Sequence, residues 1–273
     1  MRIIAGVPNA RRFAEELLNI GDGKRPTSVG GKIQFDPDIC VLTSSPEDLI
    51  DKIYHNIQAN YLDRDWLCER AILAPRNEDV DVINGRLLDA IPGTCAEYIS
   101  VDETIEADNA VNFPVEFLNS QNPPGLPAHI LRLKVGAPVM LIRYLQPPKH
   151  CNGTRLAVQG LLAHSIRATI LTGIGKGETV LIPRIPLTSS DLPFDFKRLQ
   201  LPVRLAYSMT INKAQGQSIR YFGLNLSSQC FSHGQLYVAL SRVGSPANLF
   251  VFAPQGQTQN VVYQEVLGRG ARV

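Results

Sequence analysis

The sequence predicts an α/β protein, a parallel sheet with helices on both faces that carries a small inserted antiparallel β-barrel. Between Leu201 and Phe252 strand-length apolar runs alternate with short helical segments, which is the grammar of a parallel sheet. Between Val135 and Leu187 the runs VGAPVMLIRYL, CNGTRLAV, SIRATILTG and ETVLIPRIPL are short, β-rich and separated by Gly, Asn and Pro turns. Several short strands joined in that way suggest a small barrel.

The chain's 273 residues suffice for one large domain or two small ones. Its apolar fraction of 44% and charged fraction of 19% belong to the soluble globular class. No apolar run approaches the roughly 20 residues needed to cross a bilayer, so no membrane partner is expected. Five cysteines (Cys40, Cys68, Cys95, Cys151 and Cys230) are odd in number, widely spaced and form no C-x-x-C pair. That usage points to reduced thiols in an intracellular compartment, with no disulfide or metal site. His150 beside Cys151 is the sole adjacent pair drawn from His and Cys, and a metal needs more. The net charge of +2 neither favours nor excludes nucleic acid, because a basic groove on one face is enough to follow phosphates.

Taken in order, Asn9 to Ile20 reads as a helix with Phe13, Leu17 and Ile20 on one side. Gly21, Gly23, Pro26 and the Gly30-Gly31 pair end it and begin a linker. Pro46 to Tyr61 reads as a second helical stretch, with Leu49, Ile50, Ile53 and Ile57 at helical spacing. Ala71 to Ala74 is a strand that Pro75 breaks. Asn77 can then cap a helix whose buried face is Val80, Ile83, Leu87 and Leu88. Glu97 to Glu103 imitates a magnesium-binding strand ending in Asp-Glu. Polar Ser100 and the lack of an upstream phosphate loop argue for an ordinary strand. Leu201 to Ala206 and Tyr221 to Leu226 are strand-like, and Thr210 can cap a short helix ending near Gly216. Ser232 and Gln235 have capping-box spacing for a helix that buries Leu236, Ala239 and Leu240. Asn248 to Phe252 closes with a further strand.

Polar residues cluster around the last of these elements. TINKAQGQS, residues 210–218, followed by GQLYVALSRV, residues 234–243, resembles the fifth and sixth motifs of the petite-integration-frequency family of superfamily-one DNA helicases, and its Helitron-type branch in particular. The resemblance extends from about Arg11 to Ala253. RRFAEELLNIGDGK is similar to the junction between the family's two motor domains. ERAILAPRNEDVDVINGRLLDAI is similar to its fourth motif, and NGTRL to its barrel insert. It implies a RecA-like second motor domain carrying a barrel of the Src-homology-three type. The expected divisions are residues 1–39 for the end of the first motor domain and linker, 40–112 and 200–254 for the second motor domain, 113–199 for the barrel, and 255–273 for a tail.

The resemblance also implies roles. Thr210, Asn212 and Lys213 would contact single-stranded DNA, Gln215 and Gly216 would sense the nucleotide, and Arg242 would be the catalytic arginine finger toward the γ-phosphate. From the residues alone, Arg242 is a cation following a helix end. Arg76 and Asn77 would meet DNA in the fourth motif, or belong to a well-capped surface helix. Arg143, Lys149, Arg155 and Arg167 would line a DNA path or be solvated barrel charges, with Arg155 inside the NGTRL signature. Arg2 matches a late arginine of the first motor domain or is an exposed terminal residue.

A phosphate loop requires Gly-Lys followed by Ser or Thr, and the Gly-Lys pairs here precede Arg25, Ile33 and Gly177. ATP and magnesium are therefore expected only in a complete helicase, where an N-terminal ATP-binding motor domain is the partner and single-stranded DNA the substrate. The expected function is the second motor domain of an ATP-dependent 5′-to-3′ DNA helicase, inactive alone. The alternatives are a non-catalytic single-strand-binding module and an inert transposon remnant. Nuclear or mitochondrial localisation and roles in repair, recombination and telomere maintenance come with the resemblance alone.

Overall fold

Strand Arg70–Ala74 is buried at all five positions because it lies inside a parallel sheet. The computed structural model describes residues 10–28, 30–104, 113–145, 151–189, 191–217 and 219–268. Arg2, Lys149 and His150 lie outside the described residues, as do the ends of the expected first division and of the tail. The chain divides into two compact units: Met1–Ile57, Glu69–Leu87 and Tyr207–Val273 form one, Gln58–Cys68 and Leu88–Ala206 the other. These boundaries differ from the expected ones at 112/113 and 199/200.

The first unit contains a five-stranded sheet in the order Ser208–Thr210, Arg70–Ala74, Tyr221–Asn225, Leu249–Phe252 and Val41–Leu42. Every neighbouring pair in it is parallel. Helix Pro46–Ile53 starts sharply because the Ser45 hydroxyl accepts the Asp48 N–H and Pro46 occupies the first turn. It buries Leu49, Ile50 and Ile53. The helix ends there, with Asn56 in the left-handed region, so the expected Pro46-to-Tyr61 stretch is broken. A Cβ added at Gly223 would stand 3.0 Å from the Ile53 and Ile72 side chains, which is how closely the helix approaches the sheet. Helix Asn77–Ala90 buries Val80, Ile83, Leu87 and Leu88, as its periodicity predicts, and Asn84 in the same stripe. Asn77 is its first residue and not its cap.

Two further differences concern local signals. The Ser232–Gln235 capping box does not form. Gly234 turns the chain at φ 67°, helix Gln235–Leu240 begins after it, and no side chain caps it. The Gln235 side chain instead accepts the Phe231 N–H at 3.0 Å. Thr210 precedes a 3-10 turn, Ile211–Ala214, without a side-chain cap bond. In the expected tail, Gln257–Gln259 pairs antiparallel with Lys32–Gln34. Helix Ala10–Gly21 buries Phe13, Leu17 and Ile20.

The second unit is antiparallel. A five-stranded sheet runs Thr179–Pro183, Ser165–Ile170, Arg155–Leu161, Pro138–Leu141, Val203–Leu205. Ile185–Ser189, Phe196–Gln200 and Val101–Thr104 form a second sheet, and Ala96–Ile99 pairs with Ile130–Leu133. Leu133, Val139, Leu156, Ile166 and Val203 are fully buried in one core drawn from two of these sheets. Val203–Leu205 thus belongs to the antiparallel sheet, whereas Leu201 to Ala206 was expected in the parallel one. The first parallel strand after it is Ser208–Thr210.

Ser100 separates Ala96–Ile99 from Val101–Thr104. Behind it the Asp102 carboxylate is buried against Arg198, with Nε to Oδ1 at 2.8 Å and Nη2 to Oδ2 at 2.7 Å. The Ser100 hydroxyl donates to the same Oδ1 at 2.7 Å. This carboxylate is saturated by a bidentate arginine, which accounts for the apparent Asp-Glu motif structurally. Among the described residues no helix is long and apolar enough to cross a membrane.

Candidate nucleotide and single-strand interface

In a parallel sheet every strand delivers its following loop to the same edge, where ligands of such folds gather. Ala74 and Thr210 are partners in register on adjacent strands. The segments Pro75–Asn77 and Ile211–Ala214 therefore emerge side by side at the C-terminal edge. Arg76, Asn77, Asn212 and Lys213 are exposed there, and Thr210 is half-buried. The structure brings together the five residues expected on the DNA side of this unit. Ile211 and Ala214 are buried, so the 3-10 turn is anchored by its apolar side while Asn212 and Lys213 face out.

Gln215 and Gly216 follow as exposed residues on the way back across the unit. The N–H of Ile219 donates to the Arg242 carbonyl at 3.3 Å. Ile219 lies just before strand Tyr221–Asn225, so Arg242 sits toward the opposite, N-terminal edge. Ser241 and Arg242 therefore do not lie at the strands' C-terminal ends. They follow a helix that has already run back along the sheet. The half-buried Arg242 folds onto that helix: Nε donates to the Val238 carbonyl at 2.9 Å and Nη2 to the Ser241 hydroxyl at 3.0 Å. This is the helix-end cation geometry, in which a guanidinium satisfies a terminal carbonyl. Among the described residues Nη1 donates no hydrogen bond, so one edge of the fork retains capacity for an anion.

Arg155 is placed otherwise than expected. It is 1% exposed, and its guanidinium donates to the carbonyls of Cys68 at 3.1 Å, Leu67 at 3.2 Å and Ala206 at 3.4 Å. Leu67 and Cys68 end the short helix Arg64–Cys68, whose last carbonyls have no partner within the helix. A side chain committed to those carbonyls cannot reach a phosphate at the surface, so its assignment to DNA contact is withdrawn. Arg143 is half-buried, with contacts to the Ile142 and Thr188 carbonyls at 3.3 Å, while Arg167 is exposed and lies over Gly160.

Sequence reasoning missed Phe231. It is 56% exposed and lines an open depression of about 340 Å³ with Pro75, Arg76, Asn77 and Glu78. An aromatic residue just before a helix start carries no periodic signal. Among the described residues no group of three His, Cys, Asp or Glu side chains is arranged to hold a metal ion.

Comparison with known proteins agrees with this architecture. Residues 116–161 match the family model described as the 2B domain of DNA helicase Pif1. The ATP-dependent DNA helicase PIF1 of Rattus norvegicus is 32% identical over 183 residues, covering 66% of this chain and 26% of the relative. The Homo sapiens protein of the same name is 31% identical over 185 residues, again covering 66% and 26%. The chain thus spans about a quarter of the length of these curated relatives. Among solved structures, a Pif1 helicase from Candida albicans superposes with a TM-score of 0.60 at 22% identity, over 95% of this chain and 57% of that one. Pif1 from Bacteroides in complex with ADP-AlF3 and ssDNA gives 0.61 at 20% identity, over 99% and 55%. At those identities the structures establish a shared RecA-like helicase fold. With the family model and the sequence relatives added, the chain is similar to one region of the Pif1-type DNA helicases.

Proposed function

We propose that this chain is the second motor domain of an ATP-dependent DNA helicase that moves 5′ to 3′, within the Helitron-type branch of the family. The observation that carries this reading is the placement of residues 210–217 and of Ile219. One short segment leaves the sheet beside Arg76 and Asn77, exposes Asn212 and Lys213, and ends against Arg242 on the far side of the unit. A segment placed in that way suits a coupler between a strand of DNA at one edge and a nucleotide at the other. Arg76, Asn77, Thr210, Asn212 and Lys213 are assigned to the DNA strand, and Gln215, Gly216 and Arg242 to the nucleotide. The antiparallel unit is read as the family's Src-homology-three barrel.

ATP with magnesium would be held chiefly by a first motor domain that supplies the phosphate loop. This chain's part is to offer the Arg242 guanidinium, whose Nη1 donates no hydrogen bond among the described residues, to charge developing on the γ-phosphate. By itself the chain is assigned no turnover, because phosphoryl transfer needs the phosphate cradle as well as the finger.

Titration of a fluorescent single strand at several salt concentrations tests the DNA side. Log affinity should fall with log salt at about 0.7 per phosphate contacted. Lys213→Ala should reduce that slope by about one contact. Absence of binding at low salt would overturn the reading in favour of an inert remnant.

A further inference from the structure

Single exposed aromatic side chains are ordinary on protein surfaces, but the surroundings of Phe231 are not. Its backbone N–H is tied at 3.0 Å to the side chain of Gln235, itself 97% removed from solvent, so the residue leaves a fixed point in the turn. The ring is 56% exposed and faces no aromatic partner among the described residues. It lines the 340 Å³ depression at the sheet edge on which the proposed strand-binding residues Arg76 and Asn77 also stand.

The chemistry of that lining decides what fits. A bare phosphate site would gather donors and cations, yet Glu78 supplies a carboxylate and Phe231 an apolar face. Asn77 brings both a donor and an acceptor, Glu78 further acceptors, and Arg76 a planar cation. A flat apolar face beside mixed donors and acceptors suits a heteroaromatic ring with polar edges. Bases of a single strand are such rings. Each has a π-face, so stacking on an aromatic side chain is tolerant of sequence.

We propose that Phe231 is a stacking platform for one unpaired nucleobase, whose edge meets Asn77 and Glu78 while Arg76 neutralises the adjoining backbone. The inference rests on the single-strand reading above and adds a base-contacting subsite to it. Phe231 acts through its ring alone, so its contribution is independent of salt.

The experiment compares wild type, Phe231→Ala and Phe231→Trp, each as the full chain, on oligo-dT and on an abasic strand of equal length and charge. Phe231→Ala should weaken oligo-dT binding by roughly five- to a hundredfold, the range that loss of one stacked base implies. The salt slope should stay unchanged, and binding to the abasic strand should be unaffected. Phe231→Trp should retain affinity and show indole quenching with oligo-dT but not with the abasic strand. If wild type binds and Phe231→Ala matches it on both strands, the stacking platform is overturned while the single-strand reading stands. If wild type binds neither strand at low salt, both fall together. Because the ring is exposed, the Ala variant should melt with wild type; if it does not, the quenching arm of the Trp variant decides.

Discussion

The side-chain amide of Asn84 clasps the backbone of Ser208 from both sides. Its Oδ1 accepts the Ser208 N–H at 2.8 Å and its Nδ2 donates to the Ser208 carbonyl at 3.0 Å. Ser208 begins the short edge strand that delivers Thr210 and the 3-10 turn, so a buried helix residue sets where the turn proposed to bind DNA starts. Asn84→Asp turns the donor into an acceptor facing a carbonyl. Loss of one bond and repulsion in a buried site should cost roughly 2 kcal/mol, or about 4–8 °C in melting temperature. Single-strand affinity should weaken as well. Unchanged melting would show that packing alone holds this edge.

Arg155 should behave as a structural residue. Arg155→Ala leaves two buried carbonyls and one partly buried one without their charged donor, and charge-assisted bonds contribute about 1.5–3 kcal/mol each when counted singly. A total loss of roughly 3 kcal/mol or more is expected, well outside the range of surface changes. At a temperature where the variant is still folded, the salt slope of DNA binding should equal that of wild type. A slope lower by one phosphate contact with unchanged stability would reinstate Arg155 on the DNA path.

The thiols of Cys40 and Cys230 are pushed from an ordinary value of 9.0 up to about 12, by burial in both and by Asp36 near Cys40. A folded-state value above the unfolded one contributes stability that is fully present below about pH 9 and is lost as pH rises toward 12. Denaturant midpoints should therefore fall across that window. Alkylation at pH 8 should label these two only at the rate of opening, more slowly than the half-buried Cys68, Cys95 and Cys151. Mass spectrometry of labelled peptides over time checks the order.

Arg242 separates two roles. As a helix-end cation it contributes roughly 0.3–1 kcal/mol, and Arg242→Lys should leave melting within about a degree or two. As a finger it offers a planar fork that lysine lacks. Joined to a first motor domain from a related helicase, and once the hybrid turns over ATP, Arg242→Lys should reduce turnover a hundredfold or more, on the order of 3 kcal/mol in barrier. A working hybrid indifferent to both Arg242→Lys and Arg242→Ala would leave only the contacts to Val238 and Ser241.

The patterned elements were legible in advance. Arg70–Ala74, Tyr221–Asn225 and Leu249–Phe252 are apolar runs of strand length, and helices Ala10–Gly21 and Asn77–Ala90 show their buried faces at helical spacing. The paired motifs around Thr210 and Arg242 pointed to the family before any coordinates. Shorter pieces were not legible. Val203–Leu205 and Ser208–Thr210 are three residues each and close in sequence, yet they enter different sheets. Three residues hold too little periodicity to choose a partner strand.

Side-chain destinations lie further from the sequence still. Arg155 sits in a motif that suggests a DNA-facing arginine, but its fate is set by a helix-end carbonyl 88 positions away. Arg242 is placed at the edge opposite Arg76 by the direction of a six-residue helix, and Phe231 is brought to line one depression with a loop beginning at Pro75. By itself the sequence determined the longer helices and strands and the family they resemble, because periodicity and motif spacing are local properties of the chain. The tertiary structure decided which polar groups are consumed by buried carbonyls and which remain at the surface. That choice depends on hydrogen-bond partners that only folding brings within 3 Å or so of one another.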